Sequence, residues 1–188
     1  MTESLPTRRL GNPNSGQLPE RALRSPACIL KKLPFSLSLT ALRFLQVNTT
    51  VCSLSVADNG VSDPGFQALG RLLLRTPTLN RLDVSCNCAA HPASSALSRA
   101  LATRSCRLTS LHLKNCKLGD REITEFAESL NNNGVLAVLD VSDNRISDRG
   151  AAALAHMLCA NSYLEVLSPI RAFWTNPRSR QKNLAPSF

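Results

Sequence analysis

Aromatic side chains are nearly missing from this 188-residue chain: they make up 4% of it, with one Trp and one Tyr. A core built around large ring anchors is therefore excluded. The 43% of residues that are apolar must pack as layers of Leu, Val and Ala. No apolar run approaches the ~18 residues that a membrane-spanning helix requires. The N-terminal stretch MTESLPTRRLGNPNSGQLPERALR lacks the apolar centre of a secretory signal. These absences give the expectation of a cytoplasmic protein with no membrane span, with nucleus, cytoskeleton and centrosome or cilium as open alternatives. In that compartment the seven cysteines are reduced thiols rather than a disulfide framework.

Charge of one sign is scarce in the middle of the chain and abundant at its ends. Of the net +9, residues 1–35 contribute +4 (six Lys/Arg, two acids) and residues 168–188 another +4 (four Lys/Arg, no acid). Residues 36–167 carry twelve basic and eleven acidic side chains. Short basic ends of this kind read as solvated segments rather than as nucleic-acid or membrane anchors. In the C-terminal tail Arg171, Arg178, Arg180 and Lys182 flank Phe173 and Trp174, the one place where base stacking is chemically conceivable.

What the chain does have is a repeat. VCSLSVADN from Val51, LNRLDVSCN from Leu79, LTSLHLKNC from Leu108 and LAVLDVSDN from Leu136 line up at spacings of 28, 29 and 28 residues, and LEVL starts a fifth unit at Leu164. In Leu54-Ser55-Val56, Leu82-Asp83-Val84, Leu111-His112-Leu113 and Leu139-Asp140-Val141, apolar and polar residues alternate with the period of a half-buried strand. Three residues on stand Asn59, Asn87, Cys116 and Asn144, whose inward side chains can bond the backbone as the chain leaves the strand. Ten and fourteen residues after each of these come Leu69 and Leu73, Leu97 and Leu101, Phe126 and Leu130, Leu154 and Leu158, pairs that share one helix face. Asp63-Pro64 and Ser147-Asp148 mark helix starts. Thr76-Pro77, Asn131-Asn132-Asn133-Gly134 and Asn161-Ser162 mark helix ends. Each unit is strand, turn, helix and loop, and buries both apolar faces only by stacking on its neighbours.

These motifs, with Val61-x-Asp63-x-Gly65 and Ile146-x-Asp148-x-Gly150 after the ladder residue, resemble the ribonuclease-inhibitor class of leucine-rich repeats, which also includes the repeats of NOD-like receptors and of the Ran GTPase-activating protein. The resemblance covers about 51–167. It implies an α/β horseshoe, a solenoid with parallel strands on the concave face and helices on the convex face. Three regions are expected: a basic, Pro/Ser-containing flexible segment over 1–35, the repeat domain over 36–167, and a basic non-repeat tail over 168–188. The repeat domain begins with a helical half-repeat around Ala41, Phe44 and Leu45, whose own strand is not recognisable in SPACILKKLPFSLSL. The second repeat is degenerate at Ala89-Ala90-His91-Pro92-Ala93. After Ser168-Pro169 the pattern stops with no helical half and no obvious cap, which suggests a truncated or alternative form of a longer array.

Chemistry-bearing motifs are weak. The stretch from Gly65 to Gly70 has phosphate-loop glycine spacing but lacks the Lys and Ser/Thr that bind phosphate and magnesium. Cys86-x-Cys88-x-x-His91 offers three metal ligands without a fourth, so no metal and no cofactor are expected. Ser110, His112 and Asp140 on neighbouring strands lack the strained elbow and oxyanion segment of a hydrolase. The expected function is non-catalytic: a scaffold or regulatory subunit binding a protein partner on the concave face, with no small-molecule substrate. The resemblance adds a GTPase activator like the Ran regulator as an alternative, and a truncated form with little independent function is a further one. The outward columns are Ser55, Asp83, His112 and Asp140; then Ala57, Ser85, Lys114 and Ser142; then, beside the ladder, Asp58, Cys86, Asn115 and Asp143. The face reads as mildly acidic, suited to an Arg- or Lys-bearing segment.

Overall fold

A computed structural model describes residues 27–29, 50–89, 93–170 and 172–175, and side chains over 50–89 and 93–168. Its strands are β1 (Ala27–Ile29), β2 (Ser53–Ser55), β3 (Arg81–Asp83), β4 (Ser110–His112), β5 (Val138–Asp140), β6 (Val166–Ile170) and β7 (Ala172–Thr175). Between them lie helices α1 (Asp63–Arg75), α2 (Ala93–Leu101), α3 (Asp120–Leu130) and α4 (Asp148–Ala160). The seven strands form one sheet in chain order, parallel from β1 to β6. Each described helix packs on the next. This is the α/β solenoid that the repeat implies.

The register explains why. Leu54, Leu82, Leu111, Leu139 and Leu167 are successive partners across the sheet and are all buried. Against this row the helices bring Leu69, Leu73, Leu97, Leu101, Phe126, Leu130 and Leu154, also buried; Leu158 is the one member of the expected helix pairs that is only partly covered. Truncating a leucine in such a row to Ala costs about 2–5 kcal/mol. Gly70 shows why glycine stands at that point of α1: a Cβ there would lie 2.6 Å from the Ala96 carbonyl oxygen of α2. The phosphate-loop spacing is thus a packing requirement between two helices.

Two asparagine ladders satisfy buried backbone groups between repeats. Asn87 donates through Nδ2 to Val56 O (3.0 Å) and Val84 O (2.8 Å), and its Oδ1 accepts from Asn59 N (3.2 Å) and Val61 N (2.8 Å). Asn144 repeats the pattern one turn on, to Leu113 O and Val141 O and from Cys116 N and Leu118 N. Each asparagine therefore stitches its own turn to the preceding repeat. Cys116 fills the slot less completely. Its thiol donates to Val84 O at 3.3 Å, and the Ala89 amide is taken by the Cys116 carbonyl instead of a side-chain oxygen. Burial pushes this thiol from 9.0 up to about 12. The second ladder runs along the helix ends. Asn133 donates to Leu101 O, and Asn161 to Leu130 O and Asn133 O; their Oδ1 atoms accept the amides that open the next strand segment. In the sequence these residues read only as helix stops.

Neighbouring helices are also tied at their starts. Asp120, the first residue of α3, accepts from Ser147 N (2.8 Å) and Gly150 N (3.1 Å) with one oxygen and from the Ser147 hydroxyl with the other. These bonds, the Ser147 hydroxyl first, hold its carboxyl below the usual 3.8. A Cβ on Gly150 would meet that carboxylate at 2.6 Å, so glycine here lets the helix start approach it.

Two expectations need correction. The unrecognised upstream strand is β1, which pairs in parallel with β2, Cys28 opposite Leu54; it lies inside the 1–35 stretch, upstream of the start expected at 36. It was illegible because a three-residue strand carrying Cys in the Leu slot has no Leu-x-x-Leu frame. At the other end the sheet does not stop open. β7 turns back antiparallel on β6, with Leu167 opposite Trp174 and a register shift between Leu167 and Ile170. Pro169 falls within this irregular stretch, where a missing ladder N–H costs least. The Phe, Trp and Thr of β7 favour extended backbone. The helical half-repeat at Ala41, Phe44 and Leu45 lies outside the described residues, as do the turn at 90–92 and the tail residues Arg171, Arg178, Arg180 and Lys182.

Candidate functional site

Three-residue strands present their outward side chains in rows across the sheet. Ser55, Asp83, His112, Asp140 and Ser168 are successive register partners, so the expected first column is continuous over five strands. Parallel neighbours stand about 4.8 Å apart. Polar contacts run along and beside the row. Ser55 Oγ donates to Asp83 Oδ2 at 3.2 Å, Ser110 Oγ lies 3.0 Å from His112 Nε2, and His112 Nδ1 lies 3.8 Å from Asp140 Oδ2.

The second column is built by a repeated local motif. Asp83 Oδ1 accepts the Ser85 amide, and Asp140 Oδ1 accepts the Ser142 amide, each at 3.0 Å; the Ser142 hydroxyl donates to Asp140 as well. A carboxylate that bonds the backbone two residues on turns the chain out of the strand. The third column, Asp58, Cys86, Asn115 and Asp143, then stands at the turn with φ between 52° and 59°. Asp and Asn tolerate this left-handed backbone better than other non-glycine residues, while Cys86 holds it at some strain. Lys114 Nζ and Asp143 Oδ2, both substantially exposed, pair at 3.3 Å.

One row escaped the sequence reading. Ser53, Arg81, Ser110, Val138 and Val166 are also register partners, two residues before the first column and therefore on the same face. Exposed Arg81 adds a second cation, so the face is acidic around β5 and basic at the start of β3. Its position two residues after Leu79 was a sufficient signal.

Ser110, His112 and Asp140 are the residue types of a hydrolase triad, but the groups around them do not suit that chemistry. Ser110 N donates to Asn80 O at 3.0 Å within the strand contacts, so the nucleophile's own amide is not free for an oxyanion. Asp140 is engaged by Ser142, and its 3.8 Å separation from His112 exceeds a hydrogen bond. Cys86 and Cys88 are exposed thiols, and His91 lies outside the described residues. Among the described residues no group of three or more His, Cys, Asp or Glu side chains is placed to hold a metal ion. Nor is any described helix long and apolar enough to cross a membrane.

The leucine-rich-repeat family model matches residues 47–70, 104–121 and 132–155, and pig ribonuclease inhibitor is 33% identical over 154 residues, 77% of this chain. The chain is a leucine-rich-repeat protein of the ribonuclease-inhibitor class. The family matches leave out the degenerate stretch at Ala89–Ala93, although this leucine-rich-repeat chain still forms β3 and α2 around it. A mouse NACHT, LRR and PYD domains-containing protein, 4C, is 32% identical over 134 residues, 71% of the chain. The chain spans 34% of the length of the pig protein and 12% of the mouse one. Among solved structures, the C-terminal domain of a Caenorhabditis elegans tropomodulin superposes with a TM-score of 0.63 at 16% identity, covering 88% of this chain and 96% of that one. That likeness concerns the fold.

Proposed function

We propose that the protein is a non-catalytic interaction scaffold that holds a protein partner on its concave strand face. The observation that carries this reading is the unbroken row Ser55–Asp83–His112–Asp140–Ser168, held in register on five consecutive strands. Asp83 is oriented by bonds from Ser55 and the Ser85 amide, and Asp140 by bonds from Ser142, so ordering these two carboxylates on binding costs little. Asp83, Asp140 and Asp143 set the chemistry of the partner, a segment bearing Arg or Lys, with Ser85, Ser142, Asp58 and Lys114 at the rim. The pig relative is named for inhibiting a ribonuclease, a folded protein, and a partner of that kind is in keeping with the proposal.

The test is affinity capture with quantitative mass spectrometry, comparing the full chain with Asp83→Lys/Asp140→Lys. Loss of the captured partner, with the urea midpoint of the variant still in the folded range, supports the concave face. Undiminished capture by the double variant rejects it.

A further inference from the structure

Within the repeat region the near-balance of charge conceals a separation. Residues 64–117 hold eight Lys/Arg and one acid, whereas residues 118–167 hold three Lys/Arg and eight acids. The single acid of the basic half, Asp83, is already engaged by Ser55 and Ser85. Asp58 and Asp63 lie at the opposite edge of the solenoid, where strand β2 ends and α1 begins.

Four of these eight basic side chains collect where helices end and strands start. Arg75 closes α1, and Arg104 lies beyond α2; each stands four residues before the first apolar position of the next strand segment, Leu79 and Leu108. They are therefore equivalent positions of adjacent repeats. Arg81 begins β3 opposite Ser110, and Arg107 is three residues before Ser110. All four are exposed, and among the described residues no carboxylate pairs with them. Helix-end electrostatics accounts for Arg75 in the last turn of α1 and for Arg99 in the last turn of α2. It does not account for Arg81, Arg104 and Arg107, which stand outside any helix. Leu74, 44% exposed beside Arg75, adds an apolar contact at the same edge.

We propose that this edge of the first two repeats, formed by Arg75, Arg81, Arg104 and Arg107 with Leu74, is a docking surface for an acidic protein segment carrying an apolar side chain. It meets the concave face at Arg81 and extends from there over the helix ends, away from the acidic residues of the function proposed above, beyond which it goes. Guanidinium groups suit carboxylates because their paired N–H donors match two oxygens. Nucleic acid is the poorer occupant, because single strands are held by stacking on rings. The one exposed large aromatic among the described side chains, Tyr163, belongs to the far end of the solenoid.

The test is fluorescence anisotropy on the full chain with a labelled twelve-residue peptide of nine Glu and three Leu, at low ionic strength and again with added salt. Wild type binds, and salt weakens the binding. Arg75→Glu/Arg104→Glu and, separately, Arg81→Glu/Arg107→Glu each weaken it at least about tenfold while keeping the wild-type circular dichroism and urea midpoint. Asp83→Lys/Asp140→Lys does not weaken it, which separates this surface from the acidic residues proposed to hold the partner on the concave face. The proposal is overturned if folded wild type does not bind the peptide or if both reversals bind as wild type does. It is also overturned if binding is lost only on neutralising Arg171, Arg178, Arg180 and Lys182, or if a twelve-nucleotide single-stranded DNA binds more tightly than the peptide.

Discussion

Asn87→Ala tests the claim that single side chains bind neighbouring repeats together. Asn87 is 4% exposed and makes its four shortest side-chain bonds to backbone groups of two repeats: the Val56 and Val84 carbonyls and the Asn59 and Val61 amides. Alanine supplies none of these bonds and leaves too little room for water to restore all of them. At about 1 kcal/mol per lost bond the ceiling is about 4 kcal/mol; with partial re-solvation the expected loss is about 2–4 kcal/mol. The half-buried Asn144 makes the same set of bonds but lies closer to water, so Asn144→Ala is expected to cost less, about 1–2 kcal/mol. Urea unfolding followed by circular dichroism measures both, with the slope m checked because stacked repeats can uncouple. Hydrogen exchange at the Val61 amide localises the effect: it accelerates in Asn87→Ala and is unchanged in Asn144→Ala. A loss below about 1 kcal/mol at Asn87, or a larger loss at Asn144, would refute the ladder as a source of stability.

Cys116 and Asp120 give opposite pH dependences. The folded Cys116 keeps its proton up to about 12, against 9.0 for an ordinary thiol, so its contribution is complete below 9.0 and declines as pH rises towards 12. That decline has a limiting slope of about 1.4 kcal/mol per pH unit. Urea midpoints between pH 8 and 10 should fall less steeply in Cys116→Ala than in wild type, and equal slopes would contradict the burial effect. A maleimide should label exposed Cys86, Cys88 and Cys159 in the native protein and reach Cys106 and Cys116 only on unfolding. For Asp120 the folded value is depressed, so its stabilising bonds are present above 3.8 and lost as pH falls through that lower value. Asp120→Asn should speed amide exchange at Ser147 and Gly150 at neutral pH; unchanged exchange would show that the contact to the start of α4 is dispensable.

The α/β solenoid, the repeat frame and the first strand column were all legible in the chain, because a strand's two-residue and a helix's 3.6-residue period leave their marks on local spacing. Leu54, Leu82, Leu111 and Leu139 announce the buried row by position alone, and Asn59, Asn87 and Asn144 announce the turn. What spacing cannot carry is who bonds to whom across 28 residues. That Asn133 and Asn161 form a second ladder, that Asp120 holds the start of the following helix, and that Gly70 answers the Ala96 carbonyl depend on contacts between repeats. Those contacts exist only once the repeats are stacked. The same holds at the two ends. β1 is too short to show a period and is defined by its pairing with β2, while β7 caps the sheet by reversing direction, a choice made by hydrogen bonding to β6. Local pattern thus determined each unit of this protein. Only the stack decided how the units are joined and which charges face solvent side by side, because burial and charge proximity are properties of neighbours in space.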